Sequence, residues 1–199
     1  VPGRFNFGAL RQQAVAYLIA GVGAALAIAV SFASAIYEAS QPKDIKQIAT
    51  GQPFDTGRWT VVARRAEFGK QMQGLPQTQQ NRLMVELDLT NRSAATTASY
   101  ARLLELATPP AGLQRPMFYL ARDSALVIGL HPGMPERVIA VWTWPPGAPP
   151  PPQQLRFKIA SQIYKERDNL YGAPNWFDGP VVATLDMPVD IRDAAAAGK

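Results

Sequence analysis

Cysteine is absent from the 199-residue chain, and histidine occurs once, as His131. Without cysteine there is no disulfide, no thiolate nucleophile and no sulfur-rich metal site. A domain of this size can bury enough core to do without disulfides, so the compartment stays open on this count. His131 stands three residues before Met134, a spacing that suggests an imidazole–thioether copper site. One histidine with no second strong ligand makes a poor metal site, and His131 is read as a loop residue ahead of Pro132-Gly133. A nucleophile–base pair has no other imidazole to draw on. No glycine-rich phosphate loop or dinucleotide fingerprint occurs. Asp168 and Asp178 are the best carboxylate pair for acid–base work, but they lie among turn residues, where capping and Asx turns are the ordinary use. The expectation is therefore a non-enzyme with no catalytic residue, no metal and no cofactor. The net charge is +5, and no basic run carries interleaved aromatics, so a nucleic-acid partner is not expected either.

What is present in abundance is one apolar run. Residues Ala14 to Tyr37 contain no charge and no proline, and as a helix they would measure about 36 Å, enough to cross a hydrocarbon core of roughly 30 Å. Arg4 and Arg11 precede the run without any acid, whereas Glu38, Lys43, Asp44 and Lys46 behind it cancel. The positive-inside rule then keeps residues 1–13 in the cytoplasm and exports the chain beyond Tyr37. A cleaved signal peptide is the competing reading, since Ala33-Ser34-Ala35 has the small-x-small form, but the run exceeds the usual 7–15 residues of a signal core. Its small residues Gly21, Gly23, Ala24, Ala25, Ala27, Ser31 and Ala35 form small-x-x-x-small pairs of the kind that let a second helix approach closely.

Beyond it, residues 38–57 read as a polar tether containing Pro42 and Pro53, with room for a turn of helix at 44–49. From Arg58 the pattern changes to period two. Trp59, Val61 and Ala63 alternate with Thr60, Val62 and Arg64. Leu83, Val85, Leu87 and Leu89 share a face opposite Glu86, Asp88 and Thr90. Further strands are expected at 117–120, 125–130, 136–144, 155–163 and 181–187, with Trp142 and Trp144 on one face. Short strands separated by Gly, Pro, Asn and Ser suit an antiparallel sandwich over 58–190, with a closed barrel as the other topology. The prolines of 147–152 require extended backbone without ladder bonds. The segment 168–180 reads as an aromatic loop, in which Tyr171, Trp176 and Phe177 either contact a partner or the lipid headgroups or plug the open end of the sandwich. Residues 191–199 read as a tail.

A strand ending in Asn91 (Val85-Glu86-Leu87-Asp88-Leu89-Thr90-Asn91) is followed some forty residues later by Leu130-His131-Pro132-Gly133 and the strand 136–142. This combination resembles the telokin-like, immunoglobulin-like domains of exported bacterial proteins, in which a V-x-L-x-L-x-N strand and an L-x-P-G turn recur. The resemblance spans about 58–163 and implies a β-sandwich outside the cytoplasmic membrane, with no catalytic residues. Together these readings give a mainly β chain: an immunoglobulin-like sandwich behind one transmembrane helix, single-pass in a bacterial inner membrane with a periplasmic domain. The expected role is a non-catalytic accessory subunit of a respiratory, photosynthetic or transport complex, partnered by integral membrane subunits and the bilayer. The alternative is a free-standing anchored binding module.

Overall fold

The computed structural model describes residues 28–34, 36–37, 45–70, 78–168, 170 and 172–192. The chain divides into two units, Val1–Lys43 and Asp44–Lys199. In the first, residues 28–34 and 36–37 are helical, and Ile28, Val30, Phe32, Ile36 and Tyr37 are all exposed. Among the described residues no helix is long and apolar enough to cross a membrane. Most of the apolar run, residues 14–27 and 35, lies outside them. Of the seven small residues expected to pack a second helix only Ser31 is described, accepting through its carbonyl a hydrogen bond from the Ser34 hydroxyl.

The second unit is a β-sandwich of nine strands: β1 (Lys46–Ile48), β2 (Phe54–Asp55), β3 (Trp59–Gly69), β4 (Arg82–Asn91), β5 (Leu104–Leu106), β6 (Met117–Leu120), β7 (Pro135–Thr143), β8 (Gln154–Lys165) and β9 (Asn175–Arg192). The strand order is β5-β8-β9-β3-β4-β7-β6, with β1 beside β9 and β2 beside β3. One long strand joins the layers. β9 pairs antiparallel with β8 as far as Pro188, then runs parallel to β3 from Val189 to Arg192. Proline has no amide to give a ladder, and Pro188 falls at the changeover between sheets.

The period-two strands behave as their pattern requires. Leu83, Val85, Leu87 and Leu89 are fully buried, as are Leu155, Phe157 and Ile159 on β8, with Arg156 and Lys158 outside. Trp59, Val61 and Ala63 face the core, but a bulge between Ala63 and Arg65 reverses the phase, so that Ala66 and Phe68 continue the inner face. Trp142 and Trp144 are both buried; Trp142 meets Phe157 across the layers at 6.0 Å, and Trp144 meets Phe68 at 5.3 Å. The Trp144 indole donates to the Pro149 carbonyl, which draws the proline run down onto the core.

Several expectations need correction. The sandwich is not wholly antiparallel, because β1 and β3 both run parallel to β9. Parallel neighbours need a long crossover, and more than a hundred residues separate these partners. The tether gives way to strand at Lys46–Ile48 and Phe54–Asp55, where extended pairing replaces the turn of helix. Residues 125–130 are no continuous strand. Ser124, at φ 58°, folds the chain back on β6, and only isolated bridges at Leu126 and Leu130 result. The aromatic segment is strand from Asn175 onward, so the hairpin loop is correspondingly short.

One side chain holds the loops at the end of β4. Asn91 is fully buried; its amide nitrogen donates to the carbonyls of Ala95 and Leu130, both at 2.8 Å, and its Oδ1 accepts from the Ser93 amide and hydroxyl. The Asn91 carbonyl accepts from the Gly133 amide at 2.7 Å, and Gly133 takes φ 70°, the turn that Pro132-Gly133 is suited to make. Asn91→Ala leaves the Ser93 amide unmatched and takes one of two donors from each of the Ala95 and Leu130 carbonyls, which keep the Ser93 hydroxyl and the Thr97 amide, and is expected to cost about 1–3 kcal/mol in urea denaturation. Arg92→Ala, at the exposed neighbour, is expected to change little.

Candidate functional site

The most built surface feature lies where β8 and β9 extend past the rest of the sandwich. Gln162 forms its root. Its Oε1 accepts from the Trp59 indole at 3.1 Å, and its Nε2 donates to the Ser99 carbonyl and hydroxyl, both at 2.9 Å, and to Asp178 Oδ1 at 3.2 Å. Its backbone amide donates to the Thr56 carbonyl at 2.7 Å. That approach requires glycine next door: Gly57 has φ 97°, and a Cβ there would stand 2.2 Å from the Gln162 carbonyl oxygen. The β2–β3 turn is thereby pressed against β8, and Arg58 is carried over the aromatic pair beyond it.

Trp176 packs on Tyr164 with ring centroids 5.3 Å apart, and the Arg58 guanidinium lies 5.4 Å above the Trp176 ring. Arg58 reaches the Ser93 hydroxyl at 3.4 Å, and burial pulls its pKa below the ordinary arginine value. Among the described residues it has no carboxylate partner, in contrast to Arg92, which pairs with Asp55. Arg58, Arg92, Ser93, Tyr164, Pro174 and Trp176 line a groove of about 550 Å³. On the other face of the hairpin, the Lys165 ammonium lies 5.0 Å from the Phe177 ring. Trp176 and Phe177 are therefore half-buried strand residues on opposite faces, neither of them a plug in the sandwich mouth. Tyr171 lies outside the described residues.

The remaining polar groups are occupied structurally. Asp168 is buried and accepts the Leu170 amide at 3.1 Å, an Asx turn that closes the hairpin, while its backbone pairs with Ala173. Asp178 is held by Gln162 and by Arg102 at 3.3 Å. The two carboxylates thus have separate partners and do not act as a pair. His131 is exposed, with Nδ1 3.0 Å from the Thr96 hydroxyl. Among the described residues no three His, Cys, Asp or Glu side chains are grouped to hold a metal ion.

The sequence reading missed an ion-pair ladder on the outer face of β3, β4 and β7. Asp88 bridges Arg64 at 2.6 Å and Arg137 at 2.8 Å, Glu86 accepts from Arg65 at 2.7 Å, and Glu67 takes Arg65 and, at 3.1 Å, Arg192. Glu67 is only 2% exposed, and among the described residues its Oε2 has no hydrogen-bond partner. The signal was the pair Arg64-Arg65 opposite Glu86 and Asp88, which becomes readable only once the bulge fixes the register. A second ladder joins β1, β8 and β9, with Arg156 bidentate to Asp186 at 2.6 and 2.8 Å and Gln47 donating to the same carboxylate.

No family model matches the chain, and no curated protein matches it. Among solved structures, it is similar to an uncharacterized β-sandwich protein from Clostridium difficile 630, at 9% identity and a TM-score of 0.46 over 74% of this chain and 97% of that one.

The ladders set a pH response. The hydrogen bond from Arg156 leads in holding the Asp186 carboxyl below the usual carboxylate range. For Asp88, burial pushes upward, but the hydrogen bonds from Arg137 and Arg64 outweigh it and the net shift is downward. A depressed folded pKa contributes stability that is complete above the unfolded value of about 3.9 and is lost as pH falls through the folded one. Urea midpoints are expected to be level from pH 7 to 5 on this account and to drop below about pH 4. Asp88→Asn combined with Asp186→Asn is expected to lower the neutral-pH midpoint and flatten the acid limb.

Proposed function

We propose that the protein is a non-catalytic accessory subunit of a larger membrane assembly, anchored by the segment 14–37 and presenting its sandwich on the exported face of a bacterial inner membrane. The observation that carries the proposal is the helix at 28–34 and 36–37. Its large apolar side chains project on several sides and all stand exposed. A helix apolar all round is at rest only in lipid or against other helices. The small residues Gly21, Gly23, Ala24, Ala25, Ala27, Ser31 and Ala35 favour a packed neighbour over lipid alone. For the sandwich we infer an immunoglobulin-like, telokin-like lineage. The contacts of Asn91 with Leu130 and Gly133 support it, because they join the two halves of the motif that carries the resemblance.

A second reading, a free-standing anchored binding module, is favoured by the groove over Trp176. There a guanidinium without a carboxylate partner stands beside an aromatic platform, an arrangement suited to a carboxylate on a partner. The two readings separate on gentle solubilisation of the native membrane followed by native electrophoresis. The subunit reading predicts migration far above the 21.6 kDa of the chain. It also predicts release from the complex when Gly21→Leu, Gly23→Leu and Ala27→Leu are combined. A monomeric band that is indifferent to those substitutions contradicts it and leaves the binding module.

A further inference from the structure

We infer that the projecting β8–β9 hairpin is a membrane-seating arm whose tip lies in the headgroup region of the bilayer that holds the anchor. The inference rests on the anchored reading above and adds to it the element that meets the lipid.

The register of β1 carries the argument. Lys46 stands opposite Ala183 and Ile48 opposite Leu185, in parallel with β9. The start of β1, with Ile45 before it, therefore lies toward the side on which β9 begins, which is the side of the hairpin. From Ala183 back to Asn175 the hairpin continues for roughly 25 Å. Eight residues, the number from 38 to 45, can span up to about 30 Å when extended, a reach comparable with the length of the arm.

The side chains on the arm suit that surface. Leu170 at the tip is 77% exposed, and Ile163 and Tyr164, on opposite faces of β8, are 46% and 49% exposed. Phe177 lies beside Ile163 and Lys165 on one face, and Trp176 beside Tyr164 on the other. An arm that is apolar on both faces is costly to leave in water, and only its root is covered by the sandwich. Lys165 and Arg167 are exposed nearby; of the acids on the arm, Glu166 is exposed beside them, Asp168 is buried in its own turn, and Asp178 at the root pairs with Arg102. Lys165 and Arg58 lie over aromatic rings. Tryptophan, tyrosine and phenylalanine bordered by lysine and arginine form the composition of a membrane interface. There rings sit at headgroup depth and cations meet anionic lipid. A second exposed apolar strip, Met117, Leu126 and Ile128, runs along the β6 edge. It lacks both the aromatic–cation pairs and the neighbourhood of β1.

The absence of native cysteine makes a direct test available. The full chain carrying Leu170→Cys, or Gln153→Cys at the opposite end of the sandwich, is labelled with an environment-sensitive fluorophore. Each is reconstituted into vesicles of phosphatidylcholine with phosphatidylglycerol and isolated by flotation. The expected result is that both variants float, that the Leu170 label is blue-shifted, and that aqueous iodide quenches it several-fold less than the Gln153 label. Lys165→Glu with Arg167→Glu is expected to reduce that protection. Flotation with equal quenching of the two labels overturns the seating arm while leaving the anchor intact. Failure to float overturns the anchored reading and the arm with it.

Discussion

The buried amide of Asn91 is the point on which the loop end of the sandwich depends. Through four side-chain hydrogen bonds and its own carbonyl it fixes residues 93–95 and 130–133 to the close of β4. Thr97 then bridges Leu130, Ser99 is brought within reach of Gln162 and the Trp59 indole, and Tyr100 is set against Trp59 and Phe118. Gln162 in turn ties the root of the hairpin to the β2–β3 turn. Backbone groups that loops would otherwise leave unsatisfied beneath the surface are thus matched one after another from a single side chain. The groove and the root of the arm are joined to the end of β4 by this chain of contacts.

The strands were legible because their signal is local. In β4 and β8 every second residue is apolar and the inner-face burial follows the letters, although Met84 and Glu86 on the opposite face of β4 are buried as well, Met84 beside Ile139 and Val141. The turn at Gly133 and the two core tryptophans were legible for the same reason. What escaped the sequence depends on pairing. The parallel neighbours of β9 are more than a hundred residues away in the chain, and the bulge in β3 shows only against β4. The ion ladder needs that register before Arg65 can be set opposite Glu86. Trp176 and Phe177 were recognised as contact candidates, but Gly179 and Pro180 suggested a loop where β8 holds the segment as strand through Lys165. Arg58 was missed because its partner is a ring two strands away.

The polar groups weighed as catalytic candidates have structural partners among the described residues: Asp168 closes an Asx turn, Asp178 is held by Gln162 and Arg102, and His131 lies against Thr96. Among the described residues the exposed apolar surfaces of the sandwich include the hairpin beside the Trp176 groove, at the side from which β1 begins, and the strip of Met117, Leu126 and Ile128 at the β6 edge. In the proposed anchored reading, the exposed apolar residues of the helix and those of the hairpin are each accommodated by a bilayer.

Hydrogen–deuterium exchange on the full chain, compared between lipid nanodiscs and detergent, tests that central claim most directly. The account predicts that amides flanking Leu170 exchange more slowly in the bilayer, while those of Gly147, Ala148 and Gln153, bordering the prolines at the opposite end, exchange equally in both. Uniform exchange at the hairpin in the two settings, or protection gained beside the prolines instead, would contradict it.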